Sequence, residues 1–200
     1  MAQQPMRSEE ELCPTNVRFP PNKSNVRIDP DETQNEPLYD TSLEILKNNT
    51  IYNALTLTTE VPVIYMQQFW HTVYKNKQSN KYFFHLDYQR FEIGAELIRN
   101  ALRISPRQPN TEFITPPVQE ELVLFIKQLG YVDPLTTISQ VFVNKLHQPW
   151  RTTMSILNKS LTVKASGIDR ARKPITKILW GVVKAENVDF AELLWEDFRF

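Results

Sequence analysis

The chain reads as a mainly α protein: an irregular, orthogonal helical bundle with one short β-hairpin and an extended N-terminal arm. Three observations predict this. Beyond residue 37, apolar residues recur at helical spacing in one segment after another, each opened by a proline or a capping residue. Only residues 81–93 alternate apolar and polar positions over a strand length. Glycines number 4 against 14 prolines, a balance that suits helices with little need of positive φ and connections stiffened by proline.

The elements follow in order. Residues 1–37 carry Pro5, Pro14, Pro20, Pro21, Pro30 and Pro37 with few periodic apolar positions, and read as an extended, partly disordered arm. Residues 38–200 read as the helical domain. Thr41 and Glu44 have capping-box spacing ahead of Leu43, Ile45 and Leu46. Pro62 suits the first position of a helix whose Tyr65, Met66, Phe69, Trp70 and Val73 form one aromatic face. Core packing is the expectation for that face, and a ligand-stacking site the alternative. In 81–93, Phe84 and Leu86, then Phe91 and Ile93, alternate around a turn at 87–90. A helix from Gly94 places Leu97, Ile98, Ala101 and Leu102 inward, and the proline-rich 105–117 is a surface loop.

Pro117 opens a helix with Val118, Leu122, Phe125, Ile126 and Leu129 on one stripe, and Gly130 stands where a helix C-terminus favours glycine. Residues 133–146 are ambiguous. Pro149 opens a helix burying Trp150, Met154, Leu157 and Leu161. Pro174 opens another burying Ile175, Ile178, Leu179, Val182 and Val183. Asp189 caps the last helix, with Val188 and Leu193 at staple spacing and Phe190, Leu194 and Phe198 on its face. That face ends two residues before the sequence does, as in a truncated reading frame. Trp70, Trp150, Trp180 and Trp195 are expected as buried anchors.

Composition narrows the function. Apolar residues make 41% of the chain and charged residues 23%, enough for a folded core. A single cysteine, Cys13, excludes an intrachain disulfide and a cysteine-based zinc site. The polar N-terminus lacks a signal-peptide stretch, and no run approaches the ~18 apolar residues of a membrane span. The expected location is therefore the cytoplasm or the nucleus, with no membrane partner.

Candidate chemistry is sparse. His71, His85 and His147 are far apart and lack carboxylates or cysteines at ligand spacing, so no metal site is expected. No G-x-S-x-G elbow and no glycine-rich phosphate loop is present. Glu9, Glu10 and Glu11 read as a solvated tail, and Glu120 and Glu121 as charges complementing a helix N-terminus. No catalytic residue, cofactor or small-molecule ligand is assigned, and the chain is expected not to be an enzyme.

Net charge is zero but unevenly spread: −5 over residues 1–60, +8 over 139–184 and −4 over 185–200. The basic stretch can attract nucleic acid or be neutralised by its acidic flanks. Its densest part is the loop 164–173, where Lys164, Arg170, Arg172 and Lys173 lie beside the N-terminus of the Pro174 helix. Cations and free helix N–H groups both favour phosphate. Asp169 and the absence of interleaved aromatics argue instead for a solvated loop.

Several strings, in order, resemble the plant transposon protein domain found in retroelement-derived reading frames linked to copia-type elements. They are RIDP at 27–30, SLEILKNN at 42–49, IYMQQFW at 64–70, FHLDYQRF at 84–91, QPWR at 148–151, SGIDR at 166–170, LWG at 179–181 and NVDFAELLWED at 187–197. The resemblance runs from about Ser8 to Phe198. It carries no catalytic residues. It implies an accessory or Gag-like region of a retrotransposon reading frame, acting in protein interaction or assembly with itself or other element-encoded proteins. Nucleic-acid binding through the 164–173 loop is the alternative.

Overall fold

The structure, a computed structural model, describes residues 7–19, 28, 37–57, 59–162 and 167–199. In chain order its helices are α1 (Glu9–Leu12), α2 (Pro37–Lys47), α3 (Tyr52–Thr56), α4 (Val63–Thr72), α5 (Ala95–Leu102), α6 (Gln119–Gln128), α7 (Trp150–Leu161), α8 (Lys173–Lys184) and α9 (Phe190–Arg199). The strands β1 (Tyr74–Lys75), β2 (Tyr82–Leu86) and β3 (Gln89–Ile93) lie between α4 and α5. Mainly α with one small antiparallel sheet is thus the observed class. The chain forms two compact units, one from Met1–Pro21 with Thr58–Leu97, the other from Asn22–Leu57 with Ile98–Phe200. This partition differs from the arm and body read in the sequence.

In the first unit, the sheet runs in the order β1-β2-β3. The hairpin turn is tighter than the sequence suggested, because Leu86 pairs with Gln89 and leaves only Asp87 and Tyr88 to turn. Asp87 takes φ 53°, the left-handed conformation that a two-residue turn needs at its first position. β1 is too short to leave an alternating pattern and was not legible. Helix α4 packs on β2, with the Phe69 and Phe84 rings edge to face at 4.9 Å. Two polar residues of α4 fix the contact. The Thr72 hydroxyl accepts from His85 N–H at 3.0 Å, and the buried Gln68 amide oxygen accepts from Asp87 N–H at 2.9 Å.

The N-terminal segment is not uniformly extended. Ser8 caps α1, its hydroxyl accepting from Glu11 N–H while the Glu11 carboxylate accepts from Ser8 N–H at 2.8 Å. The triplet expected as a solvated tail is therefore a helical turn, closed by a capping box that the Ser8–Glu11 spacing permits. Leu12 and Cys13 are buried. Gln67 of α4 holds the segment further along, accepting from Phe19 N–H and donating to Phe19 C=O, both at 2.8 Å.

In the second unit α8 is the central helix, in contact with α2, α6, α7 and α9. Ile175, Ile178, Leu179 and Val182 are buried as predicted, with Val183 half-buried. Gly181 lets α9's approach come close: a Cβ there would meet Val188 Cγ2 at 2.8 Å and Phe190 Cε1 at 3.1 Å. Helix α6 buries Leu122, Phe125 and Ile126, but Val118 sits outside at the cap and is exposed. Residues 133–146 resolve into two 3-10 turns, Ile138–Gln140 and Val143–Lys145. Their apolar residues Ile138, Val141, Val143 and Leu146 enter the core without helical periodicity.

Three expectations need correction. Helix α2 begins at Pro37, so Thr41 lies inside it and is not the cap; proline's fixed φ suits a first turn. On α5, Leu97 and Ala101 are exposed, and the buried side chain is Arg99. Its guanidinium reaches Asp189 at 2.7 Å and Ser105 C=O at 2.6 Å and lies over the Phe113 ring, which compensates its burial. Of the four tryptophans, Trp195 is buried and Trp150 and Trp180 half-buried, whereas Trp70 is 41% exposed.

Candidate functional site

The aromatic face of α4 is wider than its unit can cover. Eight of the residues from Val61 to Val73 are aliphatic or aromatic, spread over more than one side of a helix. The sheet and the N-terminal segment pack on α4. Val61, Val63, Met66 and Trp70 remain exposed, Val63 by 65% and Met66 by 53%. Burying each such side chain is worth roughly 1.5–3 kcal/mol, so the folded unit leaves a substantial hydrophobic gain unused. Contiguous apolar surface of this kind, rich in aromatic residues and methionine, characterises protein-binding faces.

Two adjoining depressions shape the surface. One, of about 450 Å³, is lined by Val61, Tyr65, Leu86, Asp87, Tyr88, Gln89 and Phe91. The other, of about 220 Å³, lies among Val61, Tyr65, Met66, Phe69, Trp70 and Leu86. They share Val61, Tyr65 and Leu86, and so form one shallow groove along α4 and the hairpin. Phe91, which lines it, stacks on the buried Phe84 at 5.4 Å. The groove's rim is polar at the turn, where Arg7 lies over Tyr88 at 4.0 Å and donates to Asp87 C=O at 3.3 Å. Sequence reasoning placed Tyr65, Met66, Phe69 and Trp70 of this groove in the core. The width of the apolar stripe was the available signal.

The basic loop is dispersed by the fold. Lys164 lies outside the described residues. Arg170 stacks on Phe142, its guanidinium 3.4 Å from the ring centroid, and reaches Gln140 C=O at 3.4 Å. Arg172 turns inward and binds both oxygens of Asp197 at 2.8 and 2.9 Å. Lys173 is exposed at the first position of α8. Next to these, Lys177 pairs with Glu196 at 3.0 Å. Glu196 and Asp197 of α9 thus engage the basic stretch inside the second unit.

Titratable groups with shifted affinity sit at the surface. Hydrogen bonds from Thr15 hold Glu10 below its ordinary range, and those from Ser8 hold Glu11 below it. Hydrogen bonding to Glu44 raises Lys47, and hydrogen bonding to Asp133 raises Lys145. Each belongs to a local cap or ion pair. His85 stacks on Tyr74 at 6.1 Å, while His71 and His147 are exposed. Among the described residues, no three His, Cys, Asp or Glu side chains stand together as metal ligands, and no helix is long and apolar enough to cross a membrane. No protein-family profile, curated protein or solved structure matches the chain.

Proposed function

We propose that this chain is a protein-interaction module of the kind carried by plant transposable elements, an accessory or Gag-like region that assembles with itself or with other proteins of the same element. The observation that carries the interaction reading is the exposed row Val63, Met66 and Trp70 beside the groove on α4. The element part rests on the ordered strings that resemble the plant transposon protein domain. No chemical step is assigned to the chain, and Cys13, buried and free, fits a reducing compartment such as the cytosol or nucleus. Nucleic-acid contact through the basic loop is the weaker reading, because Arg172 is committed to Asp197.

Sedimentation velocity over a wide concentration range, alone and with other proteins of the same element, tests the reading. The chain is expected to form larger species, and Val63→Asp and Met66→Lys to weaken them without lowering stability. A strict monomer at every concentration, with no complex formed in any mixture, would overturn it.

A further inference from the structure

The outer edge of β3 has a self-complementary pattern. Among the described residues, β3 pairs with β2 alone and forms one edge of the sheet. Gln89, Arg90, Phe91 and Glu92 are all exposed, and only Ile93 is buried. The register allows one hydrogen-bonding phase. Leu86 and Gln89 flank a two-residue turn, so they must exchange both backbone hydrogen bonds. Alternation then directs the N–H and C=O groups of Gln89, Phe91 and Ile93 toward β2. Those of Arg90 and Glu92 point outward, at the open edge.

An antiparallel copy of the same strand, related by a two-fold axis at Phe91, matches this edge in three ways. Arg90 faces Glu92 of the second copy, and Glu92 faces its Arg90, so opposite charges meet at both positions. These are also the residues whose backbone groups point outward, so each pair completes its hydrogen bonds. Phe91 meets Phe91 between them, on the face where it already stacks on Phe84. The neighbouring registers that keep the same phase place Arg90 opposite Arg90, or Glu92 opposite Glu92. Both are repulsive. The charges that blunt promiscuous pairing at an edge strand therefore select one symmetric register.

We infer that β3 is a self-association edge, at which two copies of this chain join their sheets across Phe91 with Arg90 and Glu92 paired in trans. This rests on the interaction reading above and names its partner as a second copy. Gln89 and Phe91 of this strand also line the groove, together with Val61, Tyr65 and Tyr88. In the single chain Arg90 lies over Phe83 at 4.8 Å and Glu92 pairs with Lys81 at 2.9 Å, so both side chains stand at the surface in an ordered row.

Charge reversal tests the inference, since both residues are exposed and the fold should survive. Arg90→Glu makes the edge wholly acidic and Glu92→Arg wholly basic. Each variant alone is expected to self-associate about tenfold more weakly than the unaltered chain. An equimolar mixture of the two is expected to recover association as a mixed dimer, because the acidic edge of one variant then meets the basic edge of the other at both positions. The Arg90→Glu/Glu92→Arg double variant should self-associate like the unaltered chain. Sedimentation reads all four samples, and thermal melts confirm folding. Association indifferent to every reversal would overturn the edge while leaving assembly through α4 standing. No association in the unaltered chain would overturn the edge as well, and complexes with other element proteins would then decide the interaction reading separately.

Discussion

Arg172 and Asp197 lock the start of α8 to the end of α9, one guanidinium nitrogen lying 2.8 and 2.9 Å from the two carboxylate oxygens. The Thr162 hydroxyl joins both, accepting from Arg172 at 2.7 Å and donating to Asp197 at 3.2 Å. The side chains are only 17% and 7% exposed. Removing one partner strands a charge in the interior. Asp197→Ala is expected to cost about 3–5 kcal/mol in urea unfolding. Arg172→Met with Asp197→Leu should recover most of that, because apolar replacement of both partners leaves no charge to solvate. A single-variant loss under about 1 kcal/mol would show the pair to be effectively solvated.

Gly181→Ala sets helix propensity against packing. In an exposed helix interior the change gains about 1 kcal/mol. Here the new methyl meets Val188 and Phe190, both buried, at 2.8 and 3.1 Å, and overpacking of this kind costs about 1–3 kcal/mol. The variant should therefore melt lower than the unaltered chain. A higher melting temperature would mean that α8 and α9 part readily.

The cap of α1 has a pH signature. Hydrogen bonds from the Ser8 backbone and then the Ser8 hydroxyl hold the Glu11 carboxyl below its ordinary 4.5. A folded-state value below the unfolded one contributes stability above the unfolded value, lost as pH falls through the folded one. Acid should therefore loosen α1. NMR titration of Glu11 should give a midpoint below 4.5 that rises in Ser8→Ala while Glu10, held by Thr15, stays low. Equal movement of both carboxyls would contradict separate local causes.

The basic loop should behave as ordinary surface. Arg170→Ala with Lys173→Ala is expected to leave any retention of duplex or single-stranded nucleic acid unchanged. Phosphate contacts release counterions, so genuine binding weakens steeply with salt. Salt-dependent affinity that falls in the double variant would return the loop to the functional site.

Much of the second unit was legible because α6, α7 and α8 bury stripes at helical spacing, as with Met154 and Leu157 on α7. Residues 133–146 were not, since 3-10 turns bury Ile138, Val141 and Val143 without a repeating period. Arg99 was hidden for a different reason. Its burial depends on Asp189 and the Ser105 carbonyl, partners up to 90 residues away that no local pattern announces. On α4 the apolar residues were found but Met66 and Trp70 are exposed: periodicity reports which positions are apolar, and the amount of neighbouring surface decides which are covered. At the basic loop, the ion pair of Arg172 was equally out of reach. Density of cations along the chain does not reveal that α9 supplies Asp197.

The polypeptide visits its two units alternately, passing from the first to the second at residue 22, back at 58 and over again at 98. Each unit is thus interrupted in sequence by part of the other. On the ribosome, the strands and α4 are complete once residue 97 has emerged, while α8 and α9, around which the second core is built, come last. Recombination faces the same arrangement: neither unit can be copied into another gene as one uninterrupted segment. A single crossover within the chain therefore divides at least one of the units, and both pass on intact only when the whole stretch is exchanged.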